Sequence, residues 1–136
     1  MIKAKKDLGQ NFLVDQVALN KIFELIKPKN TDHFLEIGPG KGALTKILAK
    51  DARRLDAVEL DKDLLLSLKL INSENLYIHN ANILNFKITD ILGNEKLRIV
   101  GNLPYNISTK IMLWSFNNLS ESVSHTHLTL PTICSV

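Results

Sequence analysis

Hydrophobic residues recur along this chain in two alternating patterns, one with the spacing of a helix face and one in short continuous runs. After Asp15, a candidate helix N-cap, apolar residues recur about every fourth position until Pro28, which predicts an amphipathic helix. Four short apolar runs have the continuous character of strands in a buried parallel sheet. They are residues 33–37, 55–60, 76–78 and 97–100.

Helical spacing returns between these runs. It covers residues 43–48 after the first run and residues 64–71 after the second, where Asp61 is placed to cap the helix. Residues 83–91 are ambiguous, and Ser108 is placed to cap a further helix. Strands that alternate with helices predict an α/β fold, in which a parallel sheet has helices on both faces.

The composition is that of one ordinary globular domain. The chain has 136 residues, of which 45% are hydrophobic and 23% are charged. No apolar run approaches the ~18 residues of a membrane span, and the single cysteine, Cys134, fits a reducing compartment. We therefore expect a cytoplasmic monomer that is not bound to a membrane.

Residues 122–136 break the pattern. They carry no helical stripe and no run that returns to the sheet, and they resemble the conceptual translation of a sequencing-library adaptor. We interpret residues 1–121 as an incomplete domain and residues 122–136 as a non-native or disordered tail. The other interpretation of this tail is a genuine extended terminus. The last strand before this tail would then be an open edge of the sheet.

The charge is mildly positive, with a formal net charge of +3 and an isoelectric point of about 9.0. Lys3, Lys5 and Lys6 stand together before the first periodic segment. A basic arm of this kind is a candidate for contacts with RNA phosphates. The other interpretation is a solvated, frayed terminus.

A glycine turn directly follows the first predicted strand, with the sequence Gly-Pro-Gly-Lys-Gly at residues 38–42. Glycines permit positive φ and let a ligand lie against bare backbone. The spacing differs from the dinucleotide pattern GxGxxG and from the phosphate loop, which disfavours a nicotinamide oxidoreductase. A nucleoside without phosphates suits this turn better.

Polar residues follow the predicted strands at their carboxyl ends, where parallel sheets bind ligands. Glu59 lies 19 residues after Gly40, at the position where an acid accepts hydrogen bonds from ribose hydroxyls. Glu36 is placed to bond the amides of the glycine turn or to serve a structural role. Asn82 can read the edge of an adenine, or it is an ordinary turn residue. We expect a nucleoside site at this edge.

The segment from Asn102 to Tyr105 follows the fourth predicted strand. The side-chain oxygen of Asn102 and a nearby backbone carbonyl can bind the two hydrogens of an exocyclic amine and aim its lone pair at a methyl donor. Pro104 rigidifies the loop after Leu103, and Tyr105 offers a flat face to an extruded base. The other interpretation is a strand-end turn with a packed tyrosine.

Four segments together closely resemble the KsgA-type ribosomal RNA adenine dimethyltransferases. They are residues 8–13, 36–42, 58–61 and 101–109. The resemblance implies a Rossmann-like class I methyltransferase sheet whose C-terminal strands and helical domain are missing from this sequence. It also implies S-adenosylmethionine-dependent dimethylation of two adjacent adenosines near the 3′ end of small-subunit ribosomal RNA, in ribosome biogenesis.

The resemblance assigns residues to the site. Catalysis would rest on Asn102, Leu103, Pro104 and Tyr105, and the cofactor would be bound by Gln10, Asn11, Leu13, Glu36, Gly38, Gly40, Glu59, Asn82 and Asn102. The family has aspartate where this chain has Asn82, so we expect weaker recognition of the adenine. Because part of the enzyme is missing, we expect weak cofactor binding and poor methylation.

Two alternatives remain within this resemblance. The related macrolide-resistance methyltransferases modify large-subunit ribosomal RNA with a similar loop, although Leu103 and the Asn-Phe-Leu start favour the KsgA type. A non-catalytic RNA-binding relative of the same fold is the other alternative. The expected partner in the favoured interpretation is the pre-ribosomal small subunit.

Overall fold

The computed structural model describes residues 16–91, 97–101, 110, 113–114 and 127–129. Its helices are α1 (Gln16–Ile26), α2 (Ala43–Asp51) and α3 (Leu65–Lys69), and its strands are β1 (His33–Ile37), β2 (Arg54–Glu59), β3 (Leu76–Asn80), β4 (Leu97–Gly101) and β5 (His127–Thr129). Short 3₁₀ turns cover Lys62–Leu64, Ile83–Asn85 and Ile88–Asp90. Within these residues, no helix is both long and apolar enough to cross a membrane.

The strands form one sheet in the order β3-β2-β1-β4-β5, and all of the pairings are parallel. The predicted parallel α/β fold is therefore confirmed. The strand order reverses at β1, since β2 and β3 are added on one side of it and β4 lies on the other. Ile37 at the end of β1 pairs with Val58 and with Gly101, so the carboxyl ends of these strands open into one crevice.

A separate hydrophobic cluster covers each face of the sheet. On one face, α1 and α2 pack against Phe34, Leu55 and Val100. On the other face, residues 83–91 and Trp114 pack against a second set of strand residues, which are Leu35, Ile37, Val58, Leu97 and Ile99. Because both faces are covered, the strands are apolar throughout most of their length, as the sequence pattern indicates.

The ends of the elements follow local chemistry. The α1 helix ends at Ile26, two residues before Pro28, and Lys27 takes a positive φ of 48° there. The Asp61 carboxylate accepts a hydrogen bond from the Asp63 amide at 2.9 Å, which confirms the predicted cap. The segment that follows is a 3₁₀ turn continued by α3, which ends at Lys69 instead of Ile71.

The structure differs from the sequence prediction in the tail. Residues 127–129 form β5, which pairs with β4 through Arg98, Ile99 and Val100. The prediction that no strand of this tail returns to the sheet, and that β4 is left as an open edge, is therefore wrong. Three residues are too few to show a periodic pattern, and backbone pairing satisfies the amides of β4 whatever the side chains are. The domain boundary at residue 121 stays a prediction.

Candidate functional site

The glycine turn lies at the mouth of the crevice, between β1 and α2. Gly38, Gly40 and Gly42 have φ angles of 66°, 61° and 92°, a region that other residues enter only with strain. The Gly38 amide donates to the Val58 carbonyl at 3.0 Å, which ties the turn to β2. The three glycines are therefore required by the backbone path of the turn.

Glu59, the last residue of β2, holds this turn in place through hydrogen bonds to the backbone. Its Oε1 accepts a hydrogen bond from the Gly40 amide and its Oε2 accepts one from the Asp61 amide, both at 3.0 Å. Burial raises the pKa of Glu59, backbone hydrogen bonds from Asp61, Gly40 and Leu60 oppose that rise, and the charge of Asp61 adds to it. A carboxylate has about four acceptor positions, so Glu59 retains acceptor capacity for a ligand.

Glu36 lies beside Glu59 on β1 and is 2% exposed. The Thr45 hydroxyl on α2 donates to its Oε1 at 2.6 Å. Burial raises the pKa of Glu36 to about 7, the Thr45 bond opposes this rise, and the charge of Glu59 adds to it. The expectation that Glu36 bonds the amides of the turn is wrong, because the Gly40 amide donates to Glu59 instead.

The end of β3 is tied to the same edge. The Asn80 side-chain amide donates to the carbonyls of Glu59 and Leu60 at 2.9 and 3.2 Å, and the Ala81 amide donates to the Glu59 carbonyl at 3.2 Å. These bonds hold the residues after β3 against the residues after β2. Asn82 is thereby placed at the crevice, in a position that is compatible with the predicted contact to the edge of an adenine.

The side-chain oxygen of Asn82 already has a donor, because it accepts the Leu84 amide at 3.0 Å. This bond makes Asn82 the N-cap of the 3₁₀ turn Ile83–Asn85. The carbonyl oxygen keeps one lone pair, and the NH₂ group offers two donors. The groups of Asn82 that remain available to a ligand are therefore two hydrogen-bond donors and one acceptor.

Two contributors to this site could not be predicted from the sequence. Thr45 is one helical turn into α2, and no spacing rule predicts that it reaches across to Glu36. The Asp61 contribution is a backbone N–H, which side-chain patterns do not reveal. Leu60 lies between Glu59 and Asp61 in the sequence and is 47% exposed, so it adds an apolar surface at the same edge.

Other predicted site residues lie outside the described part of the chain. They are Lys3, Lys5, Lys6, Gln10, Asn11, Leu13, Asn102, Leu103, Pro104 and Tyr105. The residues that the structure brings together are Glu36, Gly38, Gly40, Glu59 and Asn82, at the carboxyl ends of β1, β2 and β3. Their roles toward a ligand stay predictions.

A second polar cluster lies on the opposite face of the sheet from Glu36 and Glu59. Asp56 on β2 is fully buried and accepts hydrogen bonds from His33 at 2.6 Å, from His79 at 2.7 Å and from Arg54 at 2.9 and 3.2 Å. This Asp56 cluster joins three neighbouring strands. Among the residues with described positions, no group of three or more metal-ligating side chains is arranged to hold a metal ion.

Comparisons with known sequences point to one family. The sequence model for "Ribosomal RNA adenine dimethylase" matches residues 1–134. A curated relative named ribosomal RNA small subunit methyltransferase A, from Marinobacter nauticus, is 44% identical over 122 residues and is matched over 88% of this chain. The protein of the same name from Neisseria gonorrhoeae is 41% identical over 129 residues, or 94% of this chain.

Comparisons with solved structures agree. The 23S ribosomal RNA methyltransferase ErmE has a TM-score of 0.72 and 32% identity, over 88% of this chain and 47% of its own. A dimethyladenosine transferase from Plasmodium falciparum has a TM-score of 0.66 at 23% identity, over 79% and 38% of the two chains, which supports the fold alone. The chain spans 43% of the Marinobacter relative and 49% of the Neisseria relative.

Proposed function

Because the chain belongs to the ribosomal RNA adenine dimethylase family, we propose that it forms the cofactor-binding part of an rRNA adenine dimethyltransferase. The proposed reaction transfers methyl groups from S-adenosylmethionine to two adjacent adenosines near the 3′ end of small-subunit ribosomal RNA. The identity of 41–46% to proteins named ribosomal RNA small subunit methyltransferase A supports this choice of substrate.

The arrangement of Glu59 is the observation that carries the proposal. Its two oxygens hold the Gly40 and Asp61 amides, so the carboxylate is fixed in place at the carboxyl end of β2. It retains acceptor capacity that a ribose hydroxyl can use. A charged acceptor that is already positioned binds hydroxyls without a further cost in side-chain entropy.

Other residues of the edge have roles that fit an aminoacyl nucleoside. Gly38 and Gly40 let the ligand approach the backbone of the turn, and Leu60 offers an apolar surface for a nucleobase. Asn82 donates to a ring nitrogen or accepts through its remaining lone pair. Gln10, Asn11 and Leu13 are proposed to line the same pocket.

The bound cofactor supplies an electrophilic methyl group on a sulfonium. In the proposal, Asn102 accepts hydrogen bonds from the target amine and directs its lone pair toward that methyl group. Pro104 keeps the loop from Asn102 to Tyr105 rigid, and the Tyr105 ring stacks on the extruded adenine. Lys3, Lys5 and Lys6 bind RNA phosphates.

Methylation of large-subunit ribosomal RNA is the second candidate. It is supported by the 32% identity to ErmE over 88% of this chain. Incorporation of labelled methyl groups into purified small-subunit particles and into large-subunit RNA distinguishes the two candidates. We expect incorporation into the small-subunit particles, and a clear preference for large-subunit RNA would reverse the order of the candidates.

Isothermal titration calorimetry on the 136-residue chain tests the cofactor assignment. We expect S-adenosylmethionine to give binding heat and NAD to give none. Glu59→Gln should weaken binding about tenfold or more, because a charge-assisted acceptor is lost. Glu24→Gln, on the exposed face of α1, is the matched control and should leave the affinity unchanged.

Two results would contradict the assignment. One is equal affinity of Glu59→Gln and the original chain for S-adenosylmethionine, with both proteins shown to be folded by circular dichroism. The other is tighter binding of NAD than of S-adenosylmethionine.

A further inference from the structure

Two buried carboxyl groups stand side by side at the edge where the cofactor is proposed to bind. Glu36 on β1 pairs with Ala57 on β2, and Glu59 follows Ala57 by two residues. Side chains two residues apart on a strand project from the same face, so Glu36 and Glu59 share one face of the sheet. They are 2% and 5% exposed.

The two carboxyl groups have different partners. Glu59 accepts two backbone amides, which stabilise its negative charge. Glu36 accepts the Thr45 hydroxyl, which is a single neutral donor. Ionisation of Glu59 is therefore supported by its surroundings to a greater extent than ionisation of Glu36.

Charged side chains on the elements around Glu36 are exposed or have partners of their own. They are Lys21 and Glu24 on α1, Lys41 in the glycine turn, Lys46 on α2, and Arg98 on β4, which donates to Asp32 and to the Ile26 carbonyl. Among the described residues, none of these cations forms an ion pair with Glu36.

A buried carboxyl group beside a second carboxylate and without a cation favours its neutral form. Burial in the first place, and the Glu59 charge in addition, raise the pKa of Glu36 to about 7 against the bond from Thr45. A cationic ligand in the crevice would supply the missing positive charge. It would lower the pKa of Glu36 and favour the carboxylate.

We propose that Glu36 carries a proton in the ligand-free protein and releases it to solvent when a cationic cofactor binds, so that binding and ionisation are coupled. The inference rests on the proposed function, because S-adenosylmethionine carries a sulfonium and an ammonium group. The affinity for this cofactor then increases as the pH rises from about 6 to about 8, since the proton no longer has to be displaced. S-adenosylhomocysteine lacks the sulfonium charge, so its binding should cause Glu36 to release a smaller fraction of a proton.

Calorimetry in two buffers with different ionisation enthalpies measures the proton directly. At pH 7, a group with a pKa of about 7 is half protonated, so binding of S-adenosylmethionine should release about half a proton. Glu36→Gln keeps an acceptor for Thr45 and should abolish the release. Glu24→Gln is the control, and its proton release should equal that of the original chain.

A carbon-13 NMR titration of the side-chain carboxyl groups in the ligand-free protein supplies a readout that needs no cofactor. The Glu36 signal, assigned by its loss in Glu36→Gln, should titrate near pH 7. Titration near the ordinary glutamate pKa of about 4.3 would overturn the inference whatever the protein binds.

The outcomes separate the inference from the proposed function. Binding with equal heats in both buffers, or proton release that persists in Glu36→Gln, overturns the coupling and leaves the proposed function in place. Absence of any S-adenosylmethionine binding, together with a Glu36 titration near pH 7, overturns the proposed function and the coupling with it.

Discussion

Asn82 combines a structural and a proposed binding role in one side chain. Its oxygen accepts the Leu84 amide, so the group that remains for a ligand is mainly a donor. In Asn82→Asp, one oxygen would keep the Leu84 bond and the other would offer a charged acceptor. We expect S-adenosylmethionine to bind about fivefold to tenfold more tightly, since the charge-assisted bond adds on the order of 1 kcal/mol.

Calorimetry compares this variant with Asn85→Asp, which makes the same change of charge three residues away at an exposed position. The control should alter the affinity by less than about twofold, because exposed charges are screened. If both variants tighten binding equally, the effect is one of general charge, and Asn82 does not read the nucleobase.

Asp56 makes the fold sensitive to acid. Burial alone would raise its pKa, but hydrogen bonds from His33, His79 and Arg54 outweigh burial and hold the pKa of Asp56 well below its ordinary value. The unfolded chain therefore takes up this proton first. The contribution of Asp56 to stability is complete above the unfolded pKa of about 4 and is lost as the pH falls below it.

Asp56→Asn should lower the free energy of unfolding by about 3 kcal/mol at pH 7, because the side chains that bond the buried carboxylate lose their charged partner. The same variant should reduce the loss of stability between about pH 5 and pH 3. Urea denaturation at several pH values measures both effects. Asp90→Asn, at an exposed position, is the control, and an acid profile of Asp56→Asn that matches this control would contradict the account.

Single residues differed in how far the sequence could predict them. The position of Glu59 followed from a spacing that the polypeptide geometry of β1, turn, α2 and β2 imposes. The partner of Glu36 did not, since Thr45 meets it only when α2 packs on the sheet. The Asp56 cluster could not be predicted, because it depends on the pairing register of three strands, which cannot be derived from the sequence.

The glycine turn lies close to the C-terminal end of α3. Gly42 precedes α2 with a φ of 92°, and a Cβ atom there would lie 2.7 Å from Ile71 Cδ1 and 3.2 Å from Leu68 Cδ2. Gly42→Ala therefore combines backbone strain with a steric clash. We expect a loss of about 2–3 kcal/mol in the free energy of unfolding, measured by urea denaturation.

The double variant Gly42→Ala, Ile71→Val separates the two causes. Valine lacks the Cδ1 atom that a Cβ at residue 42 would meet first. Gly42→Ala should therefore lower the free energy of unfolding by less in the Ile71→Val background than in the original chain. The strain from the positive φ should remain. Simple additivity of the two substitutions would exclude the clash as a cause.

The elements themselves were largely predictable. Strands buried on both faces read as apolar runs, which located β1, β2 and β4 to within one residue at each end. The β3 strand extends two residues beyond its apolar run, because His79 and Asn80 pair with β2 although they are polar. The β5 strand was missed, since its pairing depends on the backbone of β4.

At the scale of the whole molecule, the 136-residue chain corresponds to 43–49% of the length of its relatives. We expect it to bind S-adenosylmethionine but to methylate small-subunit particles at less than about a hundredth of the rate of a full-length relative, because methyl transfer requires the target base to be positioned as well. Single-turnover incorporation of labelled methyl groups measures both rates. A rate within tenfold of the relative would contradict this expectation.

The Asp56 cluster has a consequence for how the molecule opens. Its bonds join β1, β2 and β3, so detaching β1 or β3 breaks a hydrogen bond to the buried Asp56 carboxylate, and detaching β2 breaks both. Partial opening of this half of the sheet is therefore penalised at whichever of these strands it begins. Amide hydrogens in the three strands should exchange with deuterium at a common slow rate, as one cooperative unit.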